Sequence, residues 1–138
     1  MRRAWVAEDD QEMLSLIVGC LQTDGYQVEP VSSGKELCER LEDEDTLLPD
    51  IVVSDIRMPG TTGLDAVAKF RAAGWTFPVI LVTGFGDEAT LNAAAEHGAT
   101  LVLCKPFDMD QLRFAVASLC PIRSDTKCWS YLARSEPD

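Results

Sequence analysis

Five short apolar runs alternate with longer segments of helical periodicity, and this alternation limits the chain to few folds. Three of the runs are apolar almost without interruption, which is typical of strands covered on both faces. Between the runs, apolar residues recur at a spacing near that of a helix, as in the stripe of Leu14, Ile17 and Leu21. Strands separated by helices pair in parallel through right-handed crossovers, so the sequence predicts a three-layer α/β fold. The predicted strands are Ala4–Ala7, Gln27–Val31, Ile51–Ser54, Val79–Val82 and Leu101–Cys104.

Residues that begin and end helices stand at the boundaries of these segments. The side chains of Ser, Thr and Asp accept hydrogen bonds from the first free N–H groups of a helix, and Glu three residues later completes a capping box. Glycine commonly ends a helix in the left-handed conformation. The predicted caps are Asp10, Ser33 (with Glu36), Thr62 (with Asp65), Asp87 and Asp108, and the predicted helix ends are Gly25, Gly74 and Gly98.

The charge balance excludes two classes of partner. The 138-residue chain has 12 basic and 23 acidic side chains, a net charge of −11. Such a surface repels nucleic acid phosphates and anionic membranes, so we expect binding to neither. No apolar run approaches the roughly 20 residues that span a bilayer. The apolar stretch Ala4–Ala7 after Met1-Arg2-Arg3 is too short for a signal peptide.

The cysteines point to a reducing compartment. Their number, five, is odd, and no C-x-x-C pair occurs. Most of them lie among apolar neighbours, which predicts buried free thiols. We therefore expect a cytoplasmic protein.

The last 18 residues differ from the rest of the chain. Pro121 stops the final helix, and mainly polar residues follow it. The few apolar side chains among them are too few for a core of their own. We therefore expect one domain over residues 1–120, and in residues 121–138 an unstructured tail or linker in preference to a docking segment.

Polar residues of related chemistry follow four of the five predicted strands. In a parallel sheet the carboxyl ends of the strands form one edge, where ligands bind. Carboxylates gathered there repel one another unless a cation joins them, and oxygen ligands completed by water suit Mg²⁺. A lysine and a hydroxyl can bind a phosphoryl group, and a carboxylate nucleophile would then form an acyl phosphate. The residues are Glu8, Asp9 and Asp10 after the first strand, Asp55 after the third, Thr83 after the fourth and Lys105 after the fifth.

Four motifs at these strand ends resemble those of the receiver domain of two-component response regulators. They occur in the family's order, and the resemblance covers residues 3–119. It implies a flavodoxin-like, five-stranded parallel sheet in the order 2-1-3-4-5 with five helices. It also implies a phosphorylation-dependent signalling switch, not a metabolic enzyme. The motifs are Val6-Ala7-Glu8-Asp9-Asp10, Asp55-Ile56-Arg57-Met58-Pro59-Gly60, Val82-Thr83-Gly84 and Lys105-Pro106-Phe107.

The resemblance implies a role for each residue of the predicted site. Asp55 would accept a phosphoryl group from the phosphohistidine of a sensor histidine kinase or a phosphotransfer protein. Thr83 and Lys105 would contact that group, and the Lys105–Pro106 bond would be cis. The implied Mg²⁺ ligands are the carboxylates of Asp9 and Asp55, the backbone carbonyl of Arg57, and Glu8 through a water molecule.

One position departs from the family. Receivers often carry Tyr or Phe three residues before the lysine, and here that residue is Val102. Valine lacks the reach and the hydroxyl of an aromatic switch residue. The resemblance still suggests that the face around residues 84–119 meets an output partner, which the sequence does not identify. We further hypothesise that Arg57 and Phe85, at the mouth of the site, tune water access and the lifetime of the phosphoryl group.

Other functions on a similar fold fit the residues less well. A phosphatase of the haloacid dehalogenase superfamily places its nucleophile after the first strand in an Asp-x-Asp pattern, whereas Asp55-Ile56-Arg57 follows the third. A flavodoxin-like cofactor binder needs a phosphate loop where Glu8-Asp9-Asp10 stand, and these acids would repel a phosphate. The alternative that stays open is a receiver-like interaction module that works without phosphorylation.

Overall fold

The computed structural model describes residues 2–58, 60–84 and 86–122, in which five strands alternate with five helices. The strands are β1 (Arg3–Ala7), β2 (Gln27–Val31), β3 (Ile51–Asp55), β4 (Val79–Thr83) and β5 (Leu101–Cys104). The helices are α1 (Gln11–Thr23), α2 (Gly34–Glu42), α3 (Gly63–Ala72), α4 (Glu88–His97) and α5 (Met109–Leu119). No helix in these ranges is long and apolar enough to cross a membrane. The predicted strands are confirmed, with bounds that differ by one residue at most.

The strands form one parallel sheet in the order β2-β1-β3-β4-β5, which confirms the predicted topology. The central strands β1, β3 and β4 are buried almost throughout, whereas the edge strands β2 and β5 are partly exposed. This contrast explains why the central runs are apolar almost without alternation: they are covered on both faces. The carboxyl ends of these three strands lie side by side in the middle of one sheet edge.

Two hydrophobic cores cover the faces of the sheet, because neighbouring residues of a strand point to opposite sides. Each core unites strand side chains with those of the helices on its side. One contains Ala4, Val6 and Val53 of the strands, Leu14 and Ile17 of α1, and Leu112 and Val116 of α5. The other contains Trp5, Val52 and Leu81 of the strands, Leu37 of α2, Phe70 of α3 and Ala94 of α4. The predicted three layers are thus helices, sheet and helices.

The helix ends follow the predicted chemistry. All five predicted cap side chains accept hydrogen bonds from backbone N–H groups in the first turn of their helices. Asp108 forms a full capping box with Gln111. At α2 the detail differs, because Glu36 Oε1 accepts from the backbone N–H of Ser32 at 3.0 Å, one residue before the cap. The three predicted helix-ending glycines have φ between 90° and 102°.

The cysteines only partly match the prediction of buried thiols. Cys120 is buried, Cys20 and Cys38 are half-buried, and Cys104 is exposed. Cys104 ends β5, which has a neighbouring strand on one side only, so sheet pairing leaves its other side open. All four of these cysteines are free. Cys128 and the predicted tail beyond Ile122 lie outside the described residues.

Candidate functional site

The carboxyl edge of the sheet brings together the predicted residues of four strands. Glu8 and Asp9 follow β1, Asp55 ends β3, Thr83 ends β4 and Lys105 follows β5. Glu8, Asp55 and Thr83 are buried, with exposed fractions of 2%, 6% and 1%. Asp9 is exposed and forms the solvent side of the site.

Three carboxylates approach one another at this edge. One oxygen from each of Glu8, Asp9 and Asp55 lies within 4.8 Å of the other two, and no other group of potential metal ligands is found in the described part of the chain. Asp10 has a different role, since its carboxylate accepts two backbone N–H groups in the first turn of α1. Its own N–H donates to Glu8 Oε2 at 3.2 Å. The prediction that Asp10 caps α1 is confirmed.

Lys105 is the cation that faces these acids. Its Nζ donates to Asp55 Oδ2 at 3.0 Å and lies 3.7 Å from Glu8 Oε1. The backbone N–H of Lys105 donates to the carbonyl of Thr83 at 2.7 Å, which continues the pairing of β4 with β5. The Lys105–Pro106 peptide bond is cis, as predicted. One lysine therefore balances at most one of two buried carboxylates.

Asp55 is oriented by its neighbours on both sides. Its Oδ1 accepts the backbone N–H of Arg57 at 3.1 Å, and its Oδ2 accepts Lys105. Its backbone carbonyl packs against Gly63, where a side chain would clash with it. The carboxylate is consequently held in one orientation at the edge of the sheet.

Burial shapes the acid–base properties of the site. Desolvation raises the pKa of Glu8 to about 7, and the charge and hydrogen bond of Asp55 add to this, while the N–H of Asp10 and the charge of Lys105 oppose it. For Lys105, burial lowers the pKa, but the hydrogen bond and charge of Asp55 and the charge of Glu8 outweigh it, so the pKa is raised. The lysine is therefore a fixed positive charge, and the acids are short of cations.

The donor set fits a hard divalent cation. Carboxylate oxygens and water are the ligands that Mg²⁺ prefers in proteins, whereas softer metals favour thiolate or imidazole. The acid cluster supplies oxygen donors alone, and its three carboxylates outnumber the one amine of Lys105 that pairs with Glu8 and Asp55. The cluster is thus compatible with the Mg²⁺ site implied by the sequence.

Two side chains near the site escaped the sequence prediction. Met58 and Thr62 line a groove of about 430 Å³ together with Asp9 and Arg57. Thr62 was assigned only as the cap of α3, a role that it also has, and a buried Met gives no signal of its own. Phe85, the other residue of the water-access hypothesis, lies outside the described residues.

The sequence of the chain matches the model of a known protein family. The model described as the response regulator receiver domain matches residues 4–117. The chain belongs to this family. The receiver domain is 27% identical over 118 residues to the sporulation initiation phosphotransferase F of Bacillus subtilis. The alignment covers 85% of this chain and 93% of that protein. It is 33% identical over 108 residues to the DNA-binding transcriptional regulator NtrC of Klebsiella pneumoniae, which covers 78% of this chain and 22% of NtrC.

Solved structures share the receiver fold. The receiver domain of the Francisella response regulator 1452 superposes with a TM-score of 0.80 at 24% identity and covers 86% of this chain and 96% of that one. The response regulator TrrA of Thermotoga maritima, solved in complex with Mg²⁺-BeF, superposes with a TM-score of 0.74 at 27% identity and covers 86% and 99%. These likenesses confirm the flavodoxin-like fold, and with the family match the chain is a receiver domain of two-component signalling. It spans about a fifth of the length of NtrC.

Proposed function

We propose that Asp55 is the phosphoacceptor of this receiver domain, and that its phosphorylation switches the protein between two states. The observation that carries this proposal is the placement of Asp55. It is buried beside two further carboxylates and within 3.0 Å of the one lysine that faces them. Nothing in the packing of a parallel sheet requires such a set, so its function is chemical.

The transfer is a substitution at phosphorus. A carboxylate oxygen of Asp55 forms a bond to phosphorus while the bond from phosphorus to the donor's imidazole nitrogen breaks, and the electron pair leaves with the imidazole. Lys105 Nζ neutralises negative charge on the phosphoryl oxygens, and the Thr83 hydroxyl donates a hydrogen bond to one of them. The donor is a sensor histidine kinase or a phosphotransfer protein.

Mg²⁺ is the cofactor in this proposal. Asp9, Asp55 and the backbone carbonyl of Arg57 would hold the ion, and Glu8 would contact it through water. When bound, the ion supplies positive charge that offsets the acids and the incoming phosphoryl oxygens. The structure of TrrA with Mg²⁺-BeF supports this assignment by relationship.

The output of the switch is a protein contact. Phosphorylation would draw Thr83 toward the phosphoryl group and shift an equilibrium between two packings of β4, α4, β5 and α5. This face, residues 84–119, would bind an output protein. Val102 of β5 is partly buried against the core that contains Ala94 of α4. Because Val102 stands where many receivers have an aromatic residue, the shift would proceed without an aromatic switch residue. The protein acts in signalling within the cytoplasm, with residues 1–120 as the receiver and 121–138 as a tail or linker.

The decisive experiment is the intact mass of the protein after incubation with acetyl phosphate, with and without Mg²⁺. We expect a Mg²⁺-dependent phosphoryl adduct that Asp55→Asn abolishes. Asp65→Asn, which removes an exposed carboxylate on α3, should keep the adduct and is the matched control. If the native protein forms no adduct with acetyl phosphate or with a phosphorylated histidine kinase, the interaction module that works without phosphorylation is the better description.

The groove beside the site predicts how long the adduct lasts. Arg57 is exposed and lines this groove with Asp9. We expect Arg57→Ala to admit water more freely and to shorten the lifetime of the phosphoryl group severalfold. The time course of adduct loss measures this effect, with Lys69→Ala on the exposed side of α3 as the control. Equal lifetimes in the two variants would contradict it.

A further inference from the structure

The two residues that flank the turn between β2 and α2, Val31 and Gly34, supply no side chain to the acid cluster, yet they contact both chain segments that carry it. The carbonyl of Val31, the last residue of β2, accepts the backbone N–H of Glu8 at 3.2 Å. Gly34, the first residue of α2, packs against Thr61 in the β3–α3 loop, residues 56–62. These residues therefore contact the backbone of Glu8 on one side and the β3–α3 loop on the other.

The contact at Gly34 leaves no room for a side chain. A Cβ atom there would overlap the carbonyl oxygen of Thr61 and would lie 2.8 Å from its carbonyl carbon. Both atoms belong to the backbone, so no side-chain rotation can relieve the clash. Gly34 is not among the glycines with positive φ, so glycine is required here for space and not for conformation.

A second glycine holds the other end of the same loop. A Cβ atom on Gly63 would overlap the backbone carbonyl of Asp55 and would lie 3.0 Å from the Cα of Ile56. The N–H of Gly63 also donates to the carbonyl of Ile56 at 2.9 Å. The β3–α3 loop is thus fixed by backbone contacts at both of its ends, and Arg57 lies between them.

We propose that Gly34 is a positioning residue for the Mg²⁺ site: its bare backbone contact with Thr61 holds the β3–α3 loop so that Arg57 stays beside the carboxylates of Asp9 and Asp55. This inference rests on the proposed function, because it concerns the ligands of the proposed ion. A side chain at position 34 pushes the Thr61 carbonyl away and moves the loop, although residue 34 itself contacts neither the ion nor the phosphoryl group.

The test is Gly34→Ala in the full chain, with two measurements. Calorimetric titration with Mg²⁺ should show at least tenfold weaker binding than in the native protein. Amide hydrogen exchange without Mg²⁺ should show faster exchange in residues 57–62, which reports the loop itself. Gly19→Ala is the matched control, since nothing lies within 4 Å of a Cβ at that helical position, and it should change neither result.

A purely structural role for Gly34 gives a different outcome. In that case Gly34→Ala lowers the midpoint of thermal unfolding, but the folded protein binds Mg²⁺ with native affinity, and the proposal is overturned. If Gly34→Ala does not fold, Thr61→Gly removes the Thr61 Cβ from the contact and gives the loop backbone at this position more freedom, without a clash. It should weaken Mg²⁺ binding severalfold, and native affinity in Thr61→Gly would also overturn the proposal.

Mg²⁺ binding and adduct formation by the native protein distinguish a failure of this inference from a failure of the proposed function. A native protein that neither binds Mg²⁺ nor forms the phosphoryl adduct removes both proposals. A native protein that does both, together with a folded Gly34→Ala variant of equal Mg²⁺ affinity, removes only the role of Gly34. Weak Mg²⁺ binding in Gly34→Ala beside tight binding in the native protein and in Gly19→Ala supports it.

Discussion

Two clusters of charged side chains differ in their charge balance and in their burial. The acid site has three carboxylates for one amine and consists of Glu8, Asp9, Asp55 and Lys105. The arginine cluster has two carboxylates for two guanidinium groups and consists of Arg3, Glu29, Glu36 and Arg40. The central carboxylate of the arginine cluster, Glu29, is 30% exposed, whereas Glu8 is only 2% exposed.

This difference separates a structural use of charge from a functional one. Balanced, partly solvated ion pairs each contribute little to stability. Buried carboxylates in excess of their cations destabilise the fold until a cation or a proton reaches them. The acid site is therefore less stable than it would be without its excess carboxylates, and this excess is what allows it to bind a cation.

Removal of the Lys105 amine, which pairs with two buried carboxylates, should have the largest effect. Lys105→Ala leaves Glu8 and Asp55 without a positive partner, so we expect the free energy of unfolding at pH 8 without Mg²⁺ to fall by about 3 kcal/mol. Urea denaturation measures this change. Lys35→Ala, which removes an exposed ion pair with Glu39 at 4.0 Å, should change stability by less than about 0.5 kcal/mol. Equal stabilities of the two variants would show that Lys105 does not compensate the buried acids.

Mg²⁺ should stabilise the acid site and leave the arginine cluster unaffected. A ligand at 100 times its dissociation constant that binds only the native state raises the free energy of unfolding by about 2.7 kcal/mol. We expect this gain in the native protein and in Glu29→Gln, and its loss in Asp9→Asn and after addition of EDTA. Thermal unfolding with and without Mg²⁺ is the measurement. A gain in Asp9→Asn equal to that of the native protein would place the ion elsewhere.

The pH dependence of stability should reveal the buried Glu8. Its pKa is raised by burial from 4.5, the ordinary value for a glutamate, to about 7 in the folded protein, so the folded state holds the proton more tightly. The stabilisation of the folded state by the proton on Glu8 is complete below about pH 4.5 and is lost as the pH rises through 7. One pKa unit corresponds to about 1.4 kcal/mol, so without Mg²⁺ we expect the native protein to lose about 2 kcal/mol relative to Glu8→Gln between pH 5 and pH 8.

The control for this prediction is Glu44→Gln, since Glu44 is exposed in the loop after α2. Its stability should follow the native pH profile. Parallel profiles of the native protein and Glu8→Gln would mean that Glu8 titrates at an ordinary pH and that its burial is compensated.

The smallest effect is expected in the arginine cluster. Arg40→Gln removes the ion pairs to Glu29 at 3.3 Å and to Glu36 at 3.7 Å, both partly exposed. We expect the free energy of unfolding to fall by less than about 1 kcal/mol. Salt at 1 M should largely abolish this loss, because it screens exposed charges. Urea denaturation at low and high salt measures both. A loss as large as that of Lys105→Ala would erase the distinction between the two clusters.

Sequence reasoning succeeded where the signal is local. Strand bounds follow from runs of apolar residues, and the cap of α1 at Asp10 follows from its position before a helical stripe. The exposure of Cys104 was missed, because a residue in an apolar run shows its burial only when the edge position of its strand is known. Thr62 was recognised as a cap and not as a residue lining the groove beside the acid site, since one side chain performs both roles.

The contact between Gly34 and Thr61 has no sequence signal at all. The two residues are 27 positions apart, and neither lies in a motif that names the other. Their contact arises only when α2 and the β3–α3 loop pack side by side above the sheet. In the sequence Gly34 looks like an ordinary first residue of a helix. That no side chain fits at this position becomes visible only in three dimensions.

The order of strands and helices, the residues at the strand ends and the resemblance to the family could all be predicted from the chain alone, because periodicity, caps and motifs are properties of neighbouring residues. Three features became visible only in three dimensions: which oxygen of Asp55 faces Lys105, how strongly burial raises the pKa of Glu8, and which backbone supports the β3–α3 loop. The physical reason is that desolvation, charge–charge distance and close packing depend on atoms that the chain brings together from separate strands. The same residue types with a fully solvated Glu8 would make an ordinary acidic surface.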